Sequence, residues 1–555
     1  MIGRLVDKSL VVHPADDSRS RWRLLETIRA FAADQLLAAG EQEESRRLHL
    51  DWAASKAAEI EAGITGDWRA ELDEVIDDLR AALAATTADP SGTAHQLARS
   101  LAHLTFARGF FLEAQGHYQA AAERAEDPTA AYQDLRTAAD TALAGTGGEA
   151  ALQLLLDAAE LARSAGDGNA QAIALASAAI FPDRFPAGIT LDAAHDRSNA
   201  WLREATEAAD VDEPRVAAVL AAARAWGEGN RYDAPDLELS RVAVDAARRA
   251  GDPVLVVGAL DALVTATANM GRLREAHRIA RERLQLADAL PRHEPYAAAE
   301  IVDAFHTASR CAITTGDLPS ALGLARRAVA DDPIGDHYLS TPRLVRALAL
   351  TGRFDEAVHH ANEMWNAWRR AGSPPADWMS TAVSAAALVH GLRGHDHHDL
   401  WRSRALEIAG VDDATQSPAL TGFAAFVDAR VAVHLGRLHD AATLVERAWT
   451  SPDPWYQGYA RTAAAELAVV AGLPDAAERL SNSASVAAEN DWAAACLARA
   501  AGRRNADPDN ITDAIDRWER IDARFERACT LLLLPDRAHE GHTELRALAC
   551  PPPAC

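Results

Sequence analysis

Four histidines crowd one nine-residue stretch, His390-Gly-Leu-Arg-Gly-His395-Asp-His397-His398. Imidazoles at that density could bind Zn2+ or Ni2+. The stretch also reads as a turn between two helices, where exposed polar residues are ordinary, so incidental affinity for a metal column is expected ahead of a resident ion. His539-Glu540-Gly541-His542 is too short for a zinc protease motif, which needs two histidines one helical turn apart. The sequence contains no Gly-x-Ser-x-Gly, His-Glu-x-x-His or Cys-x-x-Cys. The acidic pairs Asp77-Asp78 and Asp331-Asp332 fall on expected helix surfaces or turns and read as solvated. The cysteines (Cys311, Cys496, Cys529, Cys550 and Cys555) are few, scattered and odd in number, which suits a reducing compartment better than a disulfide framework. Cys550 and Cys555 flank Pro551-Pro552-Pro553-Ala554, which reads as a frayed tail; a tail disulfide or half a metal site is the lesser alternative. These residue types support no catalysis and no cofactor.

The elements that must carry them are helices. Of 555 residues, 49% are hydrophobic and only 6% aromatic, with alanine dominating the apolar count. Alanine is the best helix former, so the composition predicts an all-α protein. A glycine at an inter-helix turn, followed five residues later by alanine, recurs at Gly271…Ala276, Gly316…Ala321, Gly352…Ala357 and Gly436…Ala441. Gly472…Ala477 is a looser copy, Gly109…Ala114 an early one and Gly394 a degenerate one. Glycine permits the tight turn, and the small alanine lets two helices pack closely. Each helix pair leaves an apolar face that only the next pair can cover, which predicts a superhelical solenoid. The pattern resembles tetratricopeptide-like repeats. Segments such as Ala321–Val329 and Ala357–Trp365 read as ordinary amphipathic packing, with aromatics such as Trp365 expected in the core.

The net charge of −25 disfavours non-specific binding of nucleic acid or anionic membrane by the chain as a whole. There is no apolar run of transmembrane length and no signal-peptide pattern, so a soluble, cytoplasmic protein is expected.

The start of the chain differs in pattern. Leu5–Val12 is a β-branched apolar run, Pro14–Ser18 is turn chemistry, and from Leu24 the period becomes helical, with Leu25, Ile28, Ala32 and Leu36 on one face up to the stop at Gly40. Leu-Val-Asp-Lys-Ser-Leu-Val (Leu5–Val11) followed by Arg-Leu-Leu-Glu-Thr-Ile-Arg-Ala-Phe-Ala (Arg23–Ala32) resembles the winged-helix end of bacterial STAND regulators, the large LuxR-type and SARP-type ATPase transcriptional regulators common in actinobacteria. Trp68–Leu83 resembles the linker that enters their repeats, and Arg517–Pro535 their last repeat. The resemblance implies a partial winged helix over 1–40, a helical linker over 41–90, repeats over 91–548 and a disordered tail over 549–555. It also implies a protein or small-molecule effector bound on the concave face of the solenoid.

Two parts of the family's plan are missing. A Walker A loop needs Gly-Lys-Ser/Thr, and the chain's two lysines, Lys8 and Lys56, follow Asp7 and Ser55. The Cys-Pro-Pro-Pro-Ala-Cys end leaves no room for a terminal helix-turn-helix. Met1 falls where the winged helix is already half complete, which favours a reading frame whose start lies upstream over a separate partner protein evolved by loss of the ATPase. In the family this winged helix packs on the ATPase, so Arg19, Arg21 and Arg23 in the wing are expected at a solvated surface or domain contact rather than on DNA. The expected function is the non-catalytic sensor and interaction portion of such a regulator, with a stand-alone scaffold of tetratricopeptide type as the alternative.

Overall fold

Helix ends are written plainly into this sequence. Asp167, Asp236, Asp252, Asp317, Ser417, Asn490 and Asp507 each precede a helix and accept a hydrogen bond from a first-turn N–H. Pro253, Pro295, Pro418 and Pro508 open helices, where the missing N–H costs nothing. The structure, a computed structural model, describes residues 2–8, 10–12, 23–86, 92–145, 147–185, 191–230, 234–331 and 337–554. Among them the chain is all-α apart from one antiparallel strand pair, Val11 opposite Leu24 and Val12 opposite Arg23. None of its helices is long and apolar enough to cross a membrane. It divides into two units, Met1–Ala138 and Ala139–Cys555.

The first unit has its core where the helices Gln42–Ala62, Trp68–Ala84 and Thr93–Arg108 meet. Ala57, Leu72, Leu79, Leu97 and Leu101 are fully buried there. The helix Glu26–Ala39 that precedes them buries none of its residues. Ile28, Ala32 and Leu36, the face expected to be apolar, are half-buried, while Leu24, Leu25, Phe31 and Leu37 stand 47–64% exposed.

The second unit is a solenoid of helix pairs with one continuous core. The first helix of each pair is here called A and the second B. The A helices Pro253–Asn269, Pro295–Thr314, His337–Leu350, Ser380–Leu392, Pro418–Leu435 and Gln457–Val470 are followed by turns at Gly271, Gly316, Gly352, Gly394, Gly436 and Gly472. All six glycines have φ between +65° and +77°, a left-handed conformation that costs a side chain energy. Ala276, Ala321, Ala357 and Ala441 are buried five residues on. The two weaker copies slip by one: Ala476 and His398, four residues after their glycines, take the buried place, and Ala477 is exposed.

The later part of the solenoid laces across the turns of the earlier part. At the Gly271 turn, Arg274 donates to Ala488 O and pairs with Asp491 at 2.7 Å. At the Gly316 turn, Asp491 N–H donates to Thr315 O and Asn490 Nδ2 to Thr314 O, both at 2.8 Å. At Gly352, Arg353 meets Asp522 and Phe354 packs on Phe525. Arg393 Nε donates to Leu548 O, and Ala554 N–H to His434 O. The expected disordered tail is therefore corrected over 549–554: Cys550 is buried and the polyproline run docks against the end of an A helix. Cys555 lies outside the described residues.

Candidate functional site

The histidine stretch does not converge. His398 is buried and its Nδ1 bonds Ala387 O at 2.9 Å, a structural tie between the A and B helices of its pair. The His390 ring centroid lies 5.3 Å from that of His397 and 5.8 Å from that of His395, and the three do not bring their ligand atoms within 4.8 Å of one another. Burial, with His397 next, pushes His390 down to about 4. Arg19 and Arg21 lie outside the described residues, and Arg23 is placed in the second strand with its side chain undescribed. Buried Cys311 and Cys529 are pushed up to about 12 by desolvation and are inert as thiolates.

The feature that sequence reading missed is a cavity of about 580 Å³ on the A-helix side of the second unit. Local irregularities open it. The helix Pro214–Arg224 runs into a π-turn, Ala225–Gly229, which sets Trp226 and Asn230 in the wall. Such turns are uncommon and cluster at functional sites. The helix Gly168–Arg184 ends with Arg184 stacked 4.8 Å over Phe185. The A helix Pro295–Thr314 contributes Val302, Asp303, His306 and Arg310, spaced to share one face. The next A helix adds Leu339 and Arg343, and Trp378 closes the wall.

One side of the cavity is a saturated ion cluster. Arg184 forks onto Glu300 at 2.7 Å twice and reaches Asp261 at 3.0 Å. Arg283, with its side chain fully buried, meets Asp261 at 2.7 Å, Asp303 at 2.6 Å and Val257 O at 3.0 Å. Gly258 makes room, since a Cβ there would lie 3.3 Å from Glu300 Oε1. Burial pushes Asp261 up, with Asp303 adding to the rise; burial acts the same way on Asp303, but Arg283 and Arg184 overcome it and hold that carboxyl down.

On the other side, the hydrogen-bond partners of Arg343 and Arg346 are neutral groups. Arg343 Nη1 donates to Leu339 O at 2.9 Å, and its guanidinium sits 5.5 Å from the Trp378 ring. Arg346 behind it donates to Thr381 Oγ1 and Tyr456 Oη. Arg310 lies 3.5 Å over the Trp455 ring. Burial, then Arg346, pushes Arg343 down to about 9; burial, then Arg343, holds His306 well below the usual range and so neutral at pH 7. His306 Nε2, Arg343 Nε, Trp378 Nε1 and both amide atoms of Asn230 are buried without a hydrogen-bond partner among the described residues. Buried polar atoms rarely go unpaired, and these five belong to residues that line one cavity. A usable signal lay in the sequence: Asp261 is a lone charge in the otherwise apolar helix Pro253–Asn269, and Asp303, His306 and Arg310 form a polar stripe on an A helix.

No protein-family model matches the chain. It is 39% identical over 113 residues to proteins of Mycobacterium bovis and of two strains of Mycobacterium tuberculosis that are provisionally described as HTH-type transcriptional regulators. The match spans 20% of this chain and 13% of each of those proteins. Among solved structures it is similar to a Signal Transduction ATPase with Numerous Domains (STAND) protein with a tetratricopeptide repeat sensor from Pyrococcus horikoshii, at 14% identity and a TM-score of 0.38, over 74% of this chain and 58% of that one. A Naa15/Naa10 complex bound to HypK-THB aligns at 13% identity and a TM-score of 0.23, over 94% and 98% of the two chains.

Proposed function

We propose that this chain is the non-catalytic sensor and interaction portion of a STAND-type transcriptional regulator of the LuxR or SARP kind, and that the cavity receives its effector. The observation that carries the sensor reading is the cavity itself, with unpartnered polar atoms around an aromatic wall on the A-helix side. The regulatory setting rests on the sequence relation to HTH-type regulators and on the segment Leu5–Leu36. Binding would act by favouring one arrangement of the helix pairs over another, as any ligand with unequal affinity for two states does.

The exposed Leu24, Leu25, Phe31 and Leu37 support a winged-helix segment that docks on a further domain rather than on DNA. With no Gly-Lys-Ser/Thr in the sequence, nucleotide binding is assigned elsewhere in such a regulator. The reading places the chain in the cytoplasm, with direct nucleic-acid contact left to other parts of the regulator.

Native mass spectrometry after incubation with the small-molecule fraction of a bacterial lysate tests this. A retained compound that is lost when Val302→Trp fills the cavity is expected. Retention of nothing, or equal retention by the filled variant, overturns the sensor reading. Calorimetry with ATP is expected to show no heat of binding, and measurable affinity would sink the non-nucleotide assignment.

A further inference from the structure

We infer that the cavity takes a small organic anion, whose acid group lies against Arg343 and the Trp378 indole N–H and whose apolar body lies among Trp226, Val302 and Phe305. The inference rests on the cavity being the effector site. It follows from which atoms lack partners and what kind of partner they accept.

Arg343 Nε and Trp378 Nε1 can only donate hydrogen bonds. Both are buried and unpaired, and they adjoin each other, the guanidinium lying 5.5 Å from the indole ring. The group they lack is an acceptor. Two adjoining donors, one of them on a cation, select an oxyanion over a neutral carbonyl, because hydrogen bonds between charged groups are the stronger.

Charge bookkeeping on the two sides agrees. Asp261, Glu300 and Asp303 are each in contact with both Arg184 and Arg283, or bridge to them through the same cluster, so that side offers a ligand cation no free carboxylate. Arg343 and Arg346 pair with no carboxylate among the described residues; their partners are a carbonyl, a threonine and a tyrosine. Asp183 and Asp303 also face the cavity and repel an anion, which places the acid group at the Arg343–Trp378 end. A guanidinium keeps its proton in a protein, so neutralising this one requires an anion to arrive. The volume of about 580 Å³ suits a body of one or two fused rings. A carboxylate and a phosphate monoester share this chemistry.

Isothermal titration of the full chain with 2-naphthoate, 2-naphthyl phosphate, 2-naphthamide and 2-naphthylmethylammonium decides the matter. One of the two anions is expected to bind at least about ten-fold more tightly than the amide, the ammonium more weakly still. Arg343→Gln is expected to remove that anion preference, bringing the anion's affinity down to that of the amide. Trp378→Phe, which keeps the ring and deletes the donor, is expected to weaken the anion more than the amide, and it reports even where Arg343→Gln fails to fold. The better of the two anions identifies the acid group. Equal binding of amide and anion, preference for the ammonium, or no saturable anion binding overturns the inference. Should a neutral or cationic probe bind and Val302→Trp abolish it, the anion inference fails while the cavity remains the effector site; should no probe bind in a cavity-dependent way, both fail.

Discussion

Two buried ion clusters stabilise the second unit, and they differ in what surrounds them. In the cluster of Arg430, Glu466, Arg499 and Glu526, two arginines face two glutamates, all at most 5% exposed. Arg499 holds Glu466 at 2.7 and 2.8 Å and Glu526 at 2.7 Å, Arg430 forks onto Glu526 at 2.9 Å twice, and Thr530 accepts from Arg499 Nη1. Arg503 adds a third guanidinium 3.4 Å from Glu466, and its buried Nε, like the Trp518 indole N–H beside Arg499, has no hydrogen-bond partner among the described residues. The cluster of Arg184, Asp261, Arg283, Glu300 and Asp303 is as well paired, but it opens on a cavity whose far wall carries unpaired donors. Burying charge therefore does not mark a site in this protein. Nor do unpaired donors alone, since Arg503 and Trp518 carry them too; the mark is unpaired donors that face a cavity able to admit a partner.

The comparison can be broken at several points. The largest effect is expected from Arg499→Met, which removes both short hydrogen bonds on buried Glu466 and one on Glu526. It should cost about 3–5 kcal/mol, read from urea unfolding. A loss below about 1 kcal/mol would mean that the closed cluster is not structural. Next comes the joint between the two regions. At Gly316, φ is +74° and a Cβ would stand 2.5 Å from Trp492 N, whereas at Gly271, φ is +75° and nothing lies within 4 Å. Gly316→Ala should cost about 3 kcal/mol, strain plus overpacking, and Gly271→Ala about 1–2 kcal/mol, strain alone. Equal losses would show that the lacing at Gly316 adds nothing.

A pH titration separates the regions by sign. Despite burial, Arg499 and Arg430 hold Glu466 down to about 2, so the closed cluster's contribution is present above the unfolded value of 4.5 and is lost as pH falls toward 2. Burial pushes Asp453, beside the Trp455 that carries Arg310, up to about 7. The folded state then holds a proton that the unfolded state releases, so stability falls as pH rises from about 4 to about 7. Asp453→Asn should reduce that fall in thermal melts and leave the acid limb unchanged, the remainder coming from Asp261, which burial also pushes up to about 7. The smallest effect is expected for Arg343→Gln. It leaves no carboxylate unpaired, so stability should shift by about 1 kcal/mol or less, and a larger loss would make Arg343 a packing residue.

Much of the architecture was legible in the sequence because glycine and alanine act locally. A left-handed turn and a close helix contact are decided within six residues, as at Gly352 and Ala357. The cavity was not legible, because its wall draws on residues from Leu143 to Trp378 and no local pattern links them. Asp261 could have raised suspicion, yet only the fold shows that its partners are Arg184 and Arg283. The histidines at 390–398 misled for the converse reason: closeness in sequence says little about convergence across a turn, and His398 points back into its own pair. The tail misled as well, since a proline run is not expected to dock until the end of the helix Pro418–Leu435 is there to receive it.

The lacing of residues 488–554 across the earlier turns changes how this solenoid should come apart. An open repeat array unravels from its ends, each repeat losing only its neighbour. Here the last segments are fastened to turns 120–217 positions upstream, as Arg274 with Asp491 and His434 with Ala554 show. Peeling off the final helices would uncover a row of turns rather than one repeat face, so the end of the chain is the clasp of the second unit and its loss should loosen the whole row together.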